Sequence, residues 1–152
     1  MNENNLEKII NNIVGDAIVK EVMSLKLAVK LIETVEEKAA EMGLAVVVAV
    51  SDASGRPIAV HGSFDVAVNK TYTSTAFQMS TAKLSRLCQP GQDLYGLQFS
   101  NNGKVMILGG GEPLMVGKTM IGALGVSGGS AQEDSDLAAY GASALKEVIK
   151  CL

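Results

Sequence analysis

The chain has 152 residues, 47% of them hydrophobic and 19% charged, with a formal net charge of −3. That length suits one domain with a sizeable core, and the composition is that of a folded rather than a disordered chain. The acidic balance and the scarcity of aromatics (three Phe, three Tyr, no Trp) argue against nucleic acid or an anionic membrane as the main partner.

Residues 1–22 read as a separate amphipathic extension, ahead of one domain over 23–152. Leu6, Ile9, Ile10, Ile13, Val14 and Ala17 form a single helical stripe. A helix this short needs a surface to bury its stripe. That surface is either its own domain or a sister subunit, or a docking partner such as a shell or scaffold. The start lacks a secretory pattern, and Cys88 and Cys151 form no C-x-x-C motif, so a reduced cytoplasmic protein is expected. The longest apolar run, Leu44–Val50, is too short to cross a bilayer.

Ser24 is placed to cap a helix whose apolar positions run from Leu27 to Met42, with Gly43 as its stop. Leu44–Val50 predicts a central strand, Ser51–Gly55 a turn with Asp52 capping it, and Pro57–His61 the returning strand of a hairpin. His61, the only histidine, is either a metal or haem-iron ligand or a surface residue at a strand end. Asp65–Gln78 keeps helical spacing despite Thr71, Thr73, Ser74 and Thr75. Its small hydroxyl residues either face a pocket, with Lys70 and Ser74 one turn apart, or let the helix pack closely on a sheet.

Ser80 opens a short helix to Leu87, stopped by Gln89-Pro90-Gly91. Leu94–Phe99 and Lys104–Leu108 are expected as a hairpin around Ser100–Gly103. Glycine-rich Gly109–Pro113 leads to a short extended piece, a Gly117-Lys118 turn and a last strand at Thr119–Val126. Ser130 and Glu133 form a capping box for a final helix ending near Lys150. Strands joined by hairpins, with helices grouped around them, predict an α+β fold.

Three enzyme motifs fail. Gly111 and Gly117 are one residue too far apart for a phosphate loop, and Lys118 leads into a strand. Gly122, Gly125 and Gly128 lack the dinucleotide-binding spacing, and Ser127 is one residue off a nucleophile elbow. The feature left open is the helix N-terminus at Ser127–Ser130, whose backbone N–H groups suit a carboxylate or phosphate.

The segments QPGQDLYGLQ (Gln89–Gln98), GGGEPL (Gly109–Leu114) and IGALGVSGGSAQED (Ile121–Asp134) resemble the GlcG/HbpS haem-binding family. The branch most similar is the C-terminal domain of the propanediol-utilisation protein PduO. AVSDASG and the Asn69-Lys70 step extend the resemblance from about Ser24 to the C-terminus. It implies a profilin-like antiparallel sheet of about five strands with helices on both faces, in α/β/α layers. It also implies a homo-oligomer that binds haem or a corrinoid, with His61, Lys70, Thr73, Glu112, Ser127, Gly128 and Gly129 at the cofactor site. No enzyme activity is required by it. A setting in cobalamin-dependent diol metabolism follows, in the cytoplasm or a microcompartment lumen, with residues 1–20 meeting the shell. Two other readings stay open: an accessory cargo protein without a cofactor, and an enzyme acting on a small metabolite through Lys70.

Overall fold

The structure is a computed structural model and describes residues 22–62 and 65–152. The N-terminal stripe therefore lies outside the described residues. The elements in order are α1 (Leu25–Glu41), β1 (Val47–Asp52), β2 (Pro57–His61), α2 (Asp65–Phe77) and α3 (Thr81–Leu87). Two 3₁₀ turns follow at Leu97–Phe99 and Asn101–Gly103, then β3 (Gly111–Val116), β4 (Thr119–Ser127) and α4 (Ala131–Lys150). The four strands form one antiparallel sheet in the order β2-β1-β4-β3.

The two faces of the sheet are chemically different because side chains alternate along each strand. Val48 and Val50 of β1, Leu124 and Val126 of β4 and Leu114 of β3 point to one face. There they meet Leu27, Leu31, Ile32 and Val35 of α1 and Leu137 and Leu145 of α4 in one buried cluster. On the other face Ala49, Gly125 and Gly111 lie side by side in register. That strip is nearly flat, and α2 lies against it. A Cβ on Gly125 would strike the Ala67 carbonyl oxygen and sit 3.0 Å from Thr71 Cγ2, while one on Gly111 would sit 2.8 Å from the Lys70 carbonyl oxygen. Glycine is needed here for close helix–sheet approach.

The helix ends follow their sequence signals. The Ser24 hydroxyl accepts the Leu27 N–H at 3.1 Å, and Gly43 takes φ +71° just past α1. At α4 the Ser130 hydroxyl accepts the Glu133 N–H at 3.3 Å and the Glu133 carboxylate accepts the Ser130 N–H at 2.7 Å. These bonds hold the Glu133 carboxyl below its ordinary value, the Ser130 backbone contributing most. Replacing Ser130 by alanine should lower stability by about 1 kcal/mol, the usual worth of a serine cap, as urea unfolding would show.

Two expected strands are absent. Leu94–Phe99 is a turn followed by a 3₁₀ turn, and Lys104–Leu108 is irregular, so the described sheet has four strands instead of about five. Gly96 at φ +91°, Asn101 at +50°, Asn102 at +55° and Gly103 at +73° break any ladder there. The apolar residues that suggested strands instead pack under a loop: Leu94, Leu97 and Ile107 surround buried Leu84, Cys88 and Val105. The Met106 N–H goes to the Thr73 hydroxyl at 2.8 Å, not to a neighbouring strand. The first strand also starts later than expected, at Val47. It continues through Ser51 and Asp52 across an irregular register. Asp52 caps the turn as expected, its Oδ1 accepting the N–H groups of Ser54 at 2.8 Å and Arg56 at 3.0 Å.

Candidate functional site

The threonine-rich helix α2 does not turn its hydroxyls to a pocket. Thr71 donates to the Val68 carbonyl at 2.8 Å, Thr73 to Asn69 at 2.7 Å and Thr75 to Thr71 at 2.9 Å. These three threonine hydroxyls are thus satisfied within their own helix, which lets a polar face lie buried against the glycine strip, while the buried Ser74 hydroxyl has no hydrogen-bond partner among the described residues. Thr73 also takes the Met106 N–H, so this expected cofactor contact anchors the 104–108 segment.

Lys70 is the centre of the buried polar cluster. Its side chain is 1% exposed, and its Nζ donates to the Val126 carbonyl at 2.6 Å and to Asp134 Oδ2 at 2.8 Å. The other carboxylate oxygen of Asp134 accepts the Gly129 N–H at 2.9 Å. One ion pair therefore joins α2, the end of β4 and the first turn of α4. Burial pulls the Lys70 ammonium below its ordinary value, against the opposing pull of Asp134. Gly110, at φ +109°, crosses directly over the pair: a Cβ there would lie 2.8 Å from Asp134 Cβ and 2.9 Å from Lys70 Nζ.

This geometry corrects the expectation of an open anion cradle at Ser127–Ser130. Among its donors, the Gly129 and Ser130 N–H groups already serve the Asp134 and Glu133 carboxylates. The chain supplies its own anions to the positive end of α4, where they are favourable. It also leaves Lys70 unsuited to act as a nucleophile, since both its position and its hydrogen bonds are committed to the fold. Gly128, at φ +154°, would bring a Cβ within 2.8 Å of Val46 Cα, so it too serves close packing.

The remaining expected residues lie elsewhere. Glu112 is paired with Leu124 on edge strand β3, on the sheet face covered by α4. Its carboxyl is half-buried, and burial raises it above its ordinary value. His61 ends β2, the opposite edge strand. Its Nδ1 lies 3.1 and 3.2 Å from the two carboxylate oxygens of Glu36 on α1, and the two side chains are 40% and 37% exposed. A carboxylate can only accept, so the proton sits on Nδ1 and Nε2 is left as the basic nitrogen. Glu36 is 25 residues from His61, and no sequence pattern links them; only the packing of α1 along the hairpin brings them together. No group of three or more His, Cys, Asp or Glu residues suited to a metal ion occurs among the described residues.

Four antiparallel strands between two helical layers, with one histidine beside a carboxylate at a sheet edge, define an α+β protein. A family model described as haem degrading protein HbpS-like matches residues 23–143, and the chain belongs to that family. It is 37% identical over 123 residues to a 15.0 kDa protein of the dhaT-dhaS intergenic region of Citrobacter freundii, covering 76% of this chain and 87% of the relative. It is 39% identical over 109 residues to the corrinoid adenosyltransferase PduO of Salmonella typhimurium, covering 67% of this chain but only 32% of that protein. The chain thus spans about a third of PduO. Among solved structures, the PduOC–haem complex superposes with a TM-score of 0.75 at 34% identity, covering 81% of this chain and 94% of that one. Among the described residues no helix is long and apolar enough to cross a membrane.

Proposed function

We propose that this chain is a haem-binding accessory protein whose iron ligand is Nε2 of His61. The observation that carries the reading is the Glu36 carboxylate on Nδ1 of the only histidine. A carboxylate behind a ligating imidazole fixes its tautomer and raises its basicity, the usual second partner of a metal-bound histidine. The ring is partly exposed at the end of an edge strand, so a flat group can reach it without opening the core. When bound, haem would supply a redox-active iron; His61 would supply a nitrogen base, and Glu36 would hold its orientation. In this reading Lys70, Thr73, Ser127, Gly128 and Gly129 act at a distance, by holding α2 and α4 rigidly on the sheet. The family's description and the haem complex of PduOC support the choice of ligand.

Titration with haemin should give a saturable shift of the Soret band. His61→Ala should weaken binding at least tenfold, and Glu36→Gln by a smaller factor with a changed spin state. An unshifted Soret band in the wild type would end the haem reading, and an unaltered titration in His61→Ala would end the ligand assignment.

The similarity to a corrinoid adenosyltransferase supports a corrinoid as the second ligand to try. It also supports a place in cobalamin-dependent diol metabolism, in the cytoplasm or inside a microcompartment. A homo-oligomer, with residues 1–20 directed to a shell protein, completes that proposal. Native mass and shell co-purification, compared between the full chain and one lacking residues 1–20, test it. Unchanged values for both would remove the recruitment role.

A further inference from the structure

A groove lies at the far end of the sheet from the ion pair and along the opposite edge from His61. It is partly enclosed, about 380 Å³ in volume, and runs between the β3–β4 turn and the C-terminal half of α4. That volume falls at the lower end of the range for small-molecule sites. Met115, Val116, Leu145 and Ile149 make its apolar wall, with Lys146 and Lys150 on its rim. Met115 is 46% exposed and Leu145 behind it 2%, so the wall opens to water at Met115 on an edge strand.

The rim is polarised. Lys150 is engaged by Glu147 at 2.8 Å, whereas Lys146 has no salt-bridge partner among the described residues. Cations at a helix C-terminus favour its dipole, but that effect does not require an uncovered aliphatic trough beside them. The trough contains no aromatic ring, and its wall is built of flexible or branched aliphatic side chains. Such a surface suits a bendable hydrocarbon tail better than a planar ring.

We propose that this groove binds an aliphatic monocarboxylate of the fatty-acid class, with the tail along Met115, Leu145 and Ile149 and the carboxylate beside Lys146. The charge complementarity selects an anionic head over a neutral or cationic one. The site is separate from the haem reading, because β2 and β3 are the two opposite edges of the sheet.

The test is a methyl NMR titration of the full-length protein with decanoate, and with decylammonium and decanol as controls. Saturable shifts confined to the methyls of Met115, Leu145 and Ile149, with decanoate the tightest of the three, are expected. Lys146→Glu should weaken decanoate by about threefold or more, as for an exposed ion pair. Met115→Glu, also at an exposed position, should abolish binding while preserving the amide spectrum. Shifts that never saturate, or decylammonium binding as tightly as decanoate, would overturn the proposal. Haemin displacing decanoate would overturn it as a separate site. A protein that holds decanoate but gives no Soret shift would support the groove and remove only the haem reading.

Discussion

Replacing Asp134 by alanine is expected to destabilise the protein by about 3–5 kcal/mol, the cost of stranding one member of a buried ion pair. The Lys70 ammonium would keep only the Val126 carbonyl as its partner, inside a site that is 1% exposed at the lysine and 5% at the aspartate side chain. The Gly129 N–H would lose its acceptor at the same time. Replacing both residues together, Lys70→Met with Asp134→Leu, should cost far less than either single change, because apolar side chains of similar volume need no partner. Urea unfolding of the wild type, the two single variants and the double variant measures this as a double-mutant cycle. Additive losses would show that the pair does not act as a unit.

The same pair gives stability a defined dependence on pH. Burial holds Lys70 below the ordinary 10.5 in the folded chain. Between that lowered value and 10.5 the unfolded chain binds a proton that the folded chain has released. Stability contributed by this site therefore rises with pH across that window. In Asp134→Ala the opposing pull is gone and the folded value falls further, so the penalty of that variant should shrink as the solution becomes alkaline. In Lys70→Met the dependence should disappear. Unfolding free energies at neutral pH and at pH 10.5, compared among these variants, decide it.

The second large effect is expected at Gly125. Valine there would place its Cβ against the Ala67 carbonyl oxygen and 3.0 Å from Thr71 Cγ2. Since the obstacle is helix backbone, rotamer changes cannot relieve it; α2 must lift from the sheet. Overpacking of this kind costs about 1–3 kcal/mol and more where backbone must move, and the displacement would also loosen the Lys70 ion pair. A midpoint shift toward lower urea with an altered amide spectrum along α2 is the expected result. Gly117→Ala is the contrast: a Cβ there meets nothing within 4 Å, and only its φ of +61° opposes the change. That cost should be about 1 kcal/mol. Equal losses at the two positions would refute the close-approach account of Gly125.

Chain signals were strongest where one residue type has one local use. Ser24, Ser80 and Ser130 marked three helix starts, and Gly43 marked a stop, because caps depend only on neighbours within a turn. The hairpin of β1 and β2 and the β3–β4 turn at Gly117-Lys118 were legible for the same reason, whereas helices on both faces were implied only by the family resemblance. The family resemblance, carried by several glycine motifs in fixed order, agreed with the topology. Leu94–Phe99 and Lys104–Leu108 were misread because alternating apolar residues serve equally well in a strand or under a packed loop. Positive φ at Asn101 and Asn102 decided for the loop.

Glycine is dense from Ile107 to Glu133, which requires backbone that turns sharply or lies close against something. What it comes close to was not written locally: Gly125 and Gly111 meet α2, and Gly110 meets an ion pair between residues 64 positions apart. The sequence by itself determined the helix limits, the β1–β2 and β3–β4 hairpins and the α+β class, since these rest on short-range hydrogen bonds and side-chain periodicity. Only the tertiary structure decided that Lys70 is a buried strut, that the α4 N-terminus is filled by its own carboxylates, and that Glu36 stands behind His61. Each of those is a contact between distant segments, set by how the layers pack on the sheet.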